Sequence, residues 1–333
     1  MVYNVWHECL RYAVYYAPRG RDRLLALGGS IGQRYLAPAD RLIGIMGEAG
    51  TGKSSVISGM FPGLELTNDD EGVNVRPLPL VQMHRDGRFR AQTFHVDALF
   101  EMAFTQPYEL AEAIRDALMH DRRVVVEHFD RIYPLLKMNA HLLLGIGEEI
   151  YVARPDLFGP FPGDIVRAVE GTAVYRRMAH TAEDITSLVL ERELGYTPPT
   201  YHSNVPRGFV IELNEKPEGL DLGDLQAKVA RIIERDVPIS HQDENHIRIG
   251  DEVYPCTGPR IHVSRSSEIK GFRLARELSY DALTDSYCVV GFVGEPGPPP
   301  ALSRKPRDPA RPPSEGEDQA HPPAGDKGTT RPK

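Results

Sequence analysis

The sequence predicts an α/β fold: an N-terminal P-loop domain on a mainly parallel sheet, then an α+β domain, then a disordered C-terminal tail. Three observations predict it. A glycine-rich phosphate loop follows a short apolar run at residues 42–46, apolar runs of strand length alternate with helical spacing as far as residue 155, and a Pro/Gly-rich break at 155–163 precedes a different order of elements. The expected boundaries are 1–160, 164–293 and 294–333.

Taken in order, the first forty residues read as helical, with Leu24, Leu25, Leu27 and Ile31 near helical spacing and Pro38 ending the run. The run Leu42-Ile43-Gly44-Ile45-Met46 is a buried strand, and a short helix after the loop ends near Gly59 or Pro62. A second short strand is expected at Gly63-Leu64-Glu65-Leu66, running into Thr67-Asn68-Asp69-Asp70-Glu71. The stretches Val75 to Met83 and Phe89 to Val96 read as strands joined by Arg85-Asp86-Gly87-Arg88, where Asp-Gly signals a hairpin. Leu110, Ile114 and Leu118, four apart, predict a helix from Pro107 to His120. A β-branched strand, Val124-Val125-Val126, ends in acids, and Leu142 to Ile146 and Ile150 to Val152 complete the sheet. Beyond the break, 164–293 opens with helices and closes with strands. After Leu302 the chain carries almost no large apolar side chain, so that tail buries too little to offset its ordering entropy.

Composition sets the class. With 41% apolar and 26% charged residues the chain is an ordinary globular one, long enough for two domains. A net charge of −8 argues against a generally basic nucleic-acid binder, although a local patch can still contact RNA. No run approaches the length needed to span a bilayer, the N-terminus lacks a signal-type core, and three cysteines at 9, 256 and 288 show no disulfide spacing. The expectation is a cytoplasmic protein without a membrane partner.

The strongest chemical signal is Gly47-Glu48-Ala49-Gly50-Thr51-Gly52-Lys53-Ser54, a complete G-x-x-x-x-G-K-S/T loop. Its glycines reach backbone angles that let successive N–H groups curl around a phosphate, backed by a helix N-terminus. The expected nucleotide-binding residues are Gly47, Gly50, Thr51, Gly52, Lys53, Ser54 and Ser55. Lys53 would meet the β/γ-phosphates and the Ser54 hydroxyl would hold Mg²⁺. Phosphoryl transfer also needs carboxylates: Glu127, with Asp130 less directly, is placed near Mg²⁺, and Asp69 with Asp70 where an acceptor hydroxyl could meet a base. Lys53, Asp69 and Glu127 are therefore the candidate catalytic residues. Arg85, Arg88 and Arg90 read as solvated charges around a turn, and only secondarily as lid or RNA contacts. Order and spacing over roughly 40–155 resemble the P-loop kinases of the uridine kinase type, which implies ATP as the nucleotide.

In the second half, His180 and Asp184 are four apart on a predicted helix and share a face, while Cys256 and His262 offer a thiolate and an imidazole from a turn. Such a set can close a tetrahedral zinc site, or it can be a satisfied helix histidine and a small core cysteine. His241 and His246 read as a solvated loop.

Around these residues, His180-Thr181-Ala182-Glu183-Asp184-Ile185 resembles the H-T-A-x-H-L element of the editing domain of alanyl-tRNA synthetases, their second additional domain. The helix Leu225 to Ile233 resembles the one preceding the cysteine element there. Cys256 with His262-Val263-Ser264-Arg265-Ser266-Ser267-Glu268-Ile269-Lys270-Gly271-Phe272 resembles the C-x-x-x-H-V-x-x-T-G-E-I-G-x-F signature, in the right order over about 170–293. The resemblance implies a zinc ion on His180, Asp184, Cys256 and His262, and hydrolysis of wrongly charged alanine tRNA, in trans for stand-alone relatives. Two departures stand out: Asp184 replaces the family's second helix histidine, and five residues rather than three separate Cys256 from His262. The site either survives with a harder ligand set or stands empty.

Three functions follow. One is an ATP-binding protein that acts on or senses aminoacyl-tRNA and hydrolyses mischarged tRNA in trans. The alternative is an ATP-dependent kinase whose editing-like half is a non-hydrolytic recognition module for tRNA or an amino acid. The third is a nucleotide-dependent sensor that binds tRNA without chemistry.

Overall fold

A mixed six-stranded sheet organises the first half of the chain. The structure, a computed structural model, describes residues 12–66, 79–197, 200–202, 205–243, 245–256 and 261–295. Its elements begin with β1 (Ala13–Tyr16), α1 (Arg21–Tyr35), β2 (Leu42–Met46), α2 (Lys53–Met60), α3 (Pro79–Arg85) and β3 (Thr93–Asp97). They continue with α4 (Ala98–Glu101), α5 (Pro107–Met119), β4 (Arg123–Glu127), α6 (Phe129–Leu136), β5 (Leu142–Ile146) and β6 (Glu149–Ala153). The strand order is β1-β6-β5-β2-β4-β3. β2, β3, β4 and β5 run parallel, whereas β6 turns back antiparallel on β5 and β1 pairs antiparallel with β6 at the edge.

The central strands are apolar along their whole length because helices cover both faces. All five residues of β2 and of β5 are buried. One face packs on α5, whose Leu110, Ala111, Ile114 and Ala117 share a buried stripe. The other packs on α1 and α2 through Leu24, Ile31, Val56 and Ile57. These two helices approach so closely that a Cβ on Gly28 would lie 2.3 Å from the Val56 carbonyl oxygen, so only glycine fits there.

Three expectations for this half are corrected. Residues 13–16 form an edge strand ahead of the first helix, with every second residue exposed. The segment 63–66 is a turn and not a strand: Leu64 N donates to the Phe61 carbonyl (3.0 Å) around Gly63, whose φ is +82°. There is also no hairpin at Asp86-Gly87. Residues 79–85 are helical, and Gly87 N donates to the His84 carbonyl and Arg88 N to the Met83 carbonyl, both at 3.0 Å, a glycine-capped helix end.

The second half begins with α7 (Pro162–Val169) and the 22-residue α8 (Ala173–Leu194). It continues with β7 (Thr200–His202), β8 (Gly208–Leu213), α9 (Leu222–Glu234), β9 (Ile239–Asp243), β10 (His246–Ile249), β11 (Glu252–Pro255), β12 (Arg273–Leu274), β13 (Ser279–Asp281) and β14 (Ser286–Phe292). One antiparallel sheet has the order β12-β14-β8-β7 with β13 also on β14, and a second has the order β11-β10-β9. Their shared core draws on α8 and α9 through Ile185, Val189, Leu225 and Val229. Helix α8 is buried almost without interruption from Met178 to Leu190, so six polar side chains, His180, Thr181, Glu183, Asp184, Thr186 and Ser187, are inside the protein. Burial of that kind is costly unless each group finds a partner.

Residues up to Glu295 form one compact unit, and the tail from Pro296 lies outside the described residues. Among the described residues, no helix is long and apolar enough to cross a membrane.

Candidate functional site

The phosphate-loop motif takes the strand–loop–helix form that its residues demand. Strand β2 delivers the chain to Gly47, and α2 starts at Lys53. Gly47, Gly50 and Gly52 all have positive φ, at 149°, 74° and 90°. At Gly47 a Cβ would lie 2.4 Å from the Ile146 carbonyl oxygen, so the close approach to β5 also excludes a side chain. Thr51 Oγ1 donates to the Glu48 carbonyl (2.9 Å), and Lys53 Nζ donates to the same oxygen (3.1 Å). The loop is thereby folded around the lysine.

Parallel pairing places the acids beside it. In the β2–β4 register Glu127 lies opposite Ile45, and in the β3–β4 register Asp97 lies opposite Glu127. Glu127 Oε2 is 3.6 Å from Lys53 Nζ, and Glu127 Oε1 accepts from His95 Nε2 (3.2 Å). Burial by itself would raise the Glu127 carboxyl, but the hydrogen bond and charge of His95, with Lys53, hold it below its ordinary value. Asp97, Glu127 and His128 bring one ligand atom each to within 4.8 Å of one another. His128 sits at φ +54° ahead of α6, and burial with the Lys53 charge lowers its pKa. Behind Asp97 stands Glu101, 1% exposed and, among the described residues, with no hydrogen-bond partner on either oxygen; burial, then the charge of Asp97, pushes its pKa up to about 8.

Lys53, Ser54 and Glu127 are therefore at one locus, and Asp97, His95, His128 and Glu101 join them there. The sequence reading missed these four. Asp97 was findable as the last residue of the strand preceding the acid-bearing one, the position assigned to Asp69. Asp69 and Asp70 lie outside the described residues. Asp130 is in the first turn of α6 and pairs with Arg131. Arg85 pairs with Glu109 on the surface, as a solvated charge does.

The second candidate centre lies on α8. Asp184, Cys256 and His262 bring their ligand atoms within 4.8 Å of one another. His180, predicted as the fourth ligand, does not join that group. It is fully buried, neither ring nitrogen has a hydrogen-bond partner among the described residues, and burial followed by the charges of Arg19 and Arg176 drives its pKa well below the ordinary value. Asp184 Oδ2 accepts from His262 Nε2 (2.8 Å), which lies 3.5 Å from Cys256 Sγ.

A residue absent from the sequence reading completes this centre. Arg19, from the turn between β1 and α1 and 3% exposed, donates through Nη2 to Asp184 Oδ1 and to Cys256 Sγ (3.3 Å), while its Nη1 is 2.6 Å from Glu183 Oε2. Burial would raise the Asp184 carboxyl, yet Arg19 and the His262 hydrogen bond hold it down. Glu183 is pushed up to about 7, chiefly by burial. His241, expected in a solvated loop, is on β9 with its ring 6.3 Å from that of His262. The two line a cavity of about 270 Å³ with Ile239, Ser240, Ile247, Val263 and Ser264. His246, on β10, pairs instead with Asp243.

The two centres share a helix. One turn before His180, Arg176 Nη1 donates to the Thr51 carbonyl (2.6 Å), its Nη2 donates to the Pro18 carbonyl (2.9 Å), and Arg177 Nη2 donates to the Ala49 carbonyl (2.8 Å). Arg177 also lies 3.6 Å from Glu48 Oε2, whose partner oxygen accepts from Gly171 N (3.2 Å). Fully buried, Arg176 has its pKa lowered to about 10 by desolvation and by Arg177. No family model and no curated protein match this chain.

Proposed function

We propose that the chain is an ATP-binding P-loop protein that carries out phosphoryl transfer at Gly47–Ser54, and that its second half resembles an alanyl-tRNA-synthetase-type editing domain and recognises an aminoacyl group. The observation that carries this reading is the pair Arg176 and Arg177, which attach the helix of the second centre to two carbonyls of the phosphate loop. Bound Mg²⁺-ATP would supply the transferable phosphoryl group. Lys53 would neutralise charge on the β/γ-phosphates, the Ser54 hydroxyl and Glu127 would hold Mg²⁺, and the loop N–H groups would orient the phosphates. Asp97, at the adjacent strand end, takes the proton of an acceptor hydroxyl or an attacking water.

For the second half, the cavity beside His241 and His262 is the place for an aminoacyl group, and α8 is its physical link to the nucleotide. Hydrolysis of mischarged tRNA in trans is the second reading, favoured by the convergence of Asp184, Cys256 and His262.

One set of assays separates them. Nucleotide binding is measured by calorimetry, ATP turnover is measured with and without charged alanine tRNA, and amino-acid release is measured on Ser- and Gly-charged alanine tRNA. ATP binding with tRNA-dependent turnover and no release supports the proposal. Release of the amino acid establishes the hydrolase reading, and absence of any ATP binding overturns the phosphoryl-transfer proposal.

A further inference from the structure

We propose that Arg19 is the resident cation of the α8 centre, standing where a zinc ion would stand, so that this centre is an arginine–carboxylate–thiol network and not a metal site. The claim rests on the side chains of the centre and is independent of nucleotide binding. The facing ligand atoms of Asp184, Cys256 and His262 are already engaged. Asp184 Oδ1 and Cys256 Sγ both accept from Arg19 Nη2, and Asp184 Oδ2 accepts from His262 Nε2. Zinc would sit about 2.0–2.3 Å from its oxygen and sulfur ligands, a space that a guanidinium nitrogen bonded to the same two atoms already fills.

Residue chemistry agrees with the geometry. A guanidinium has five donors and no acceptor, so it requires acceptors around it. Asp184, where the editing-domain pattern has histidine, is an acceptor, and Glu183 beside it supplies a second carboxylate 2.6 Å from Arg19 Nη1. The same departure that weakens a zinc site is therefore the one that an arginine demands. His180 fits as well. It is the ligand position the centre leaves out, fully buried and, among the described residues, with no hydrogen-bond partner on either ring nitrogen. Arg19 also ties the turn after β1 to the second half of the chain, in series with the Pro18 carbonyl that accepts from Arg176.

The test is cobalt binding by the full chain, read from the thiolate-to-cobalt charge-transfer band. The wild-type chain is expected to show no such band and no change of melting temperature with chelator. Arg19→Met combined with Glu183→Gln, which removes the cation without leaving both carboxylates uncompensated, is expected to take up about one cobalt per chain with the band, lost again on adding Cys256→Ser. Asp184→His with Arg19 retained is expected to stay free of cobalt, because the guanidinium still occupies the centre. A thiolate band in the wild-type chain, or in Asp184→His, overturns the proposal. So does a folded Arg19→Met/Glu183→Gln chain that binds no cobalt. Should that double variant fail to fold, the wild-type and Asp184→His spectra decide.

Discussion

Replacing Glu101 by glutamine should remove one component of the fall in stability with rising pH. Glu101 is buried beside Asp97 without a hydrogen-bond partner among the described residues, and its pKa rises from 4.5 to about 8 in the folded chain. Between those two values the folded state keeps a proton that the unfolded state has released, so unfolding free energy falls as pH rises through this window and levels off above it. At about 1.4 kcal/mol per pKa unit the ceiling is on the order of 5 kcal/mol, and partial relaxation of the site brings the expected loss to about 2–3 kcal/mol. Glu101→Gln keeps the shape and the neutral charge of the protonated acid, so it should match the wild type near pH 5 and exceed it near pH 8. Urea midpoints of both chains at pH 5 and pH 8, in chelator so that no cation binds Asp97 or Glu127, measure this directly. A glutamine variant whose stability relative to the wild type is the same at pH 8 as at pH 5 would show that the carboxyl is solvated or partnered and refute the reasoning.

Other outcomes follow from the same geometry. Lys53→Ala should abolish measurable ATP binding by calorimetry, because it removes the loop's cation and leaves Glu127 facing the phosphates; unchanged affinity would refute the phosphate-loop assignment. Asp97→Asn should leave ATP affinity within about twofold while lowering turnover by about 10²–10⁴, the range for a lost general base; equal loss of both would mean a structural role. Arg176→Met should cost about 2–4 kcal/mol in urea unfolding, since a buried charged donor to the Thr51 and Pro18 carbonyls is lost. It should also weaken ATP binding, whereas a variant that loses stability alone would place Arg176 outside nucleotide recognition.

Much of the first half was legible because its signals are local. The loop, β2, β4, β5, β6 and α5 each announce themselves within about ten residues, through β-branched runs or i, i+4 spacing. The failures were of two kinds. Asp86-Gly87 carries a turn signal that serves a type I′ hairpin and a helix C-cap equally well, because both need a residue at positive φ; Gly87 has φ +64° and ends α3. The apolar content of 79–83 did not settle which. Arg19 is a failure of another kind. It meets Asp184 and Cys256 across 165 and 237 residues, and nothing near Pro18-Arg19-Gly20 in the sequence marks it as a partner of α8. For the same reason Asp97 was passed over: its importance lies in the register that sets it opposite Glu127, which only strand pairing reveals.

The polar interior of α8 makes sense once it is treated as a connector. A core helix could have been apolar throughout at less cost, yet this one carries Arg176 at one turn and His180, Glu183 and Asp184 at the next two. A helix fixes such groups at 1.5 Å rise per residue, so the loop carbonyls and the carboxylates of the second centre are held at a distance set by backbone hydrogen bonds and not by flexible linkage. Arg176 bonds at once to the phosphate loop and to the Pro18 carbonyl, and Arg19, the next residue, donates to Asp184 and is ion-paired with Glu183; the chain of contacts closes on itself. On the proposed function, anything that shifts the loop when nucleotide binds must strain this ring. Linkage then requires that a ligand of the second centre and the nucleotide change each other's affinity by the same factor. A coupling factor different from one distinguishes a built connection from two sites that share a chain by descent: calorimetric ATP titrations with and without the aminoacyl ligand, and the reverse, are expected to give equal ratios different from one, and the Arg176→Met chain must bring both ratios to one.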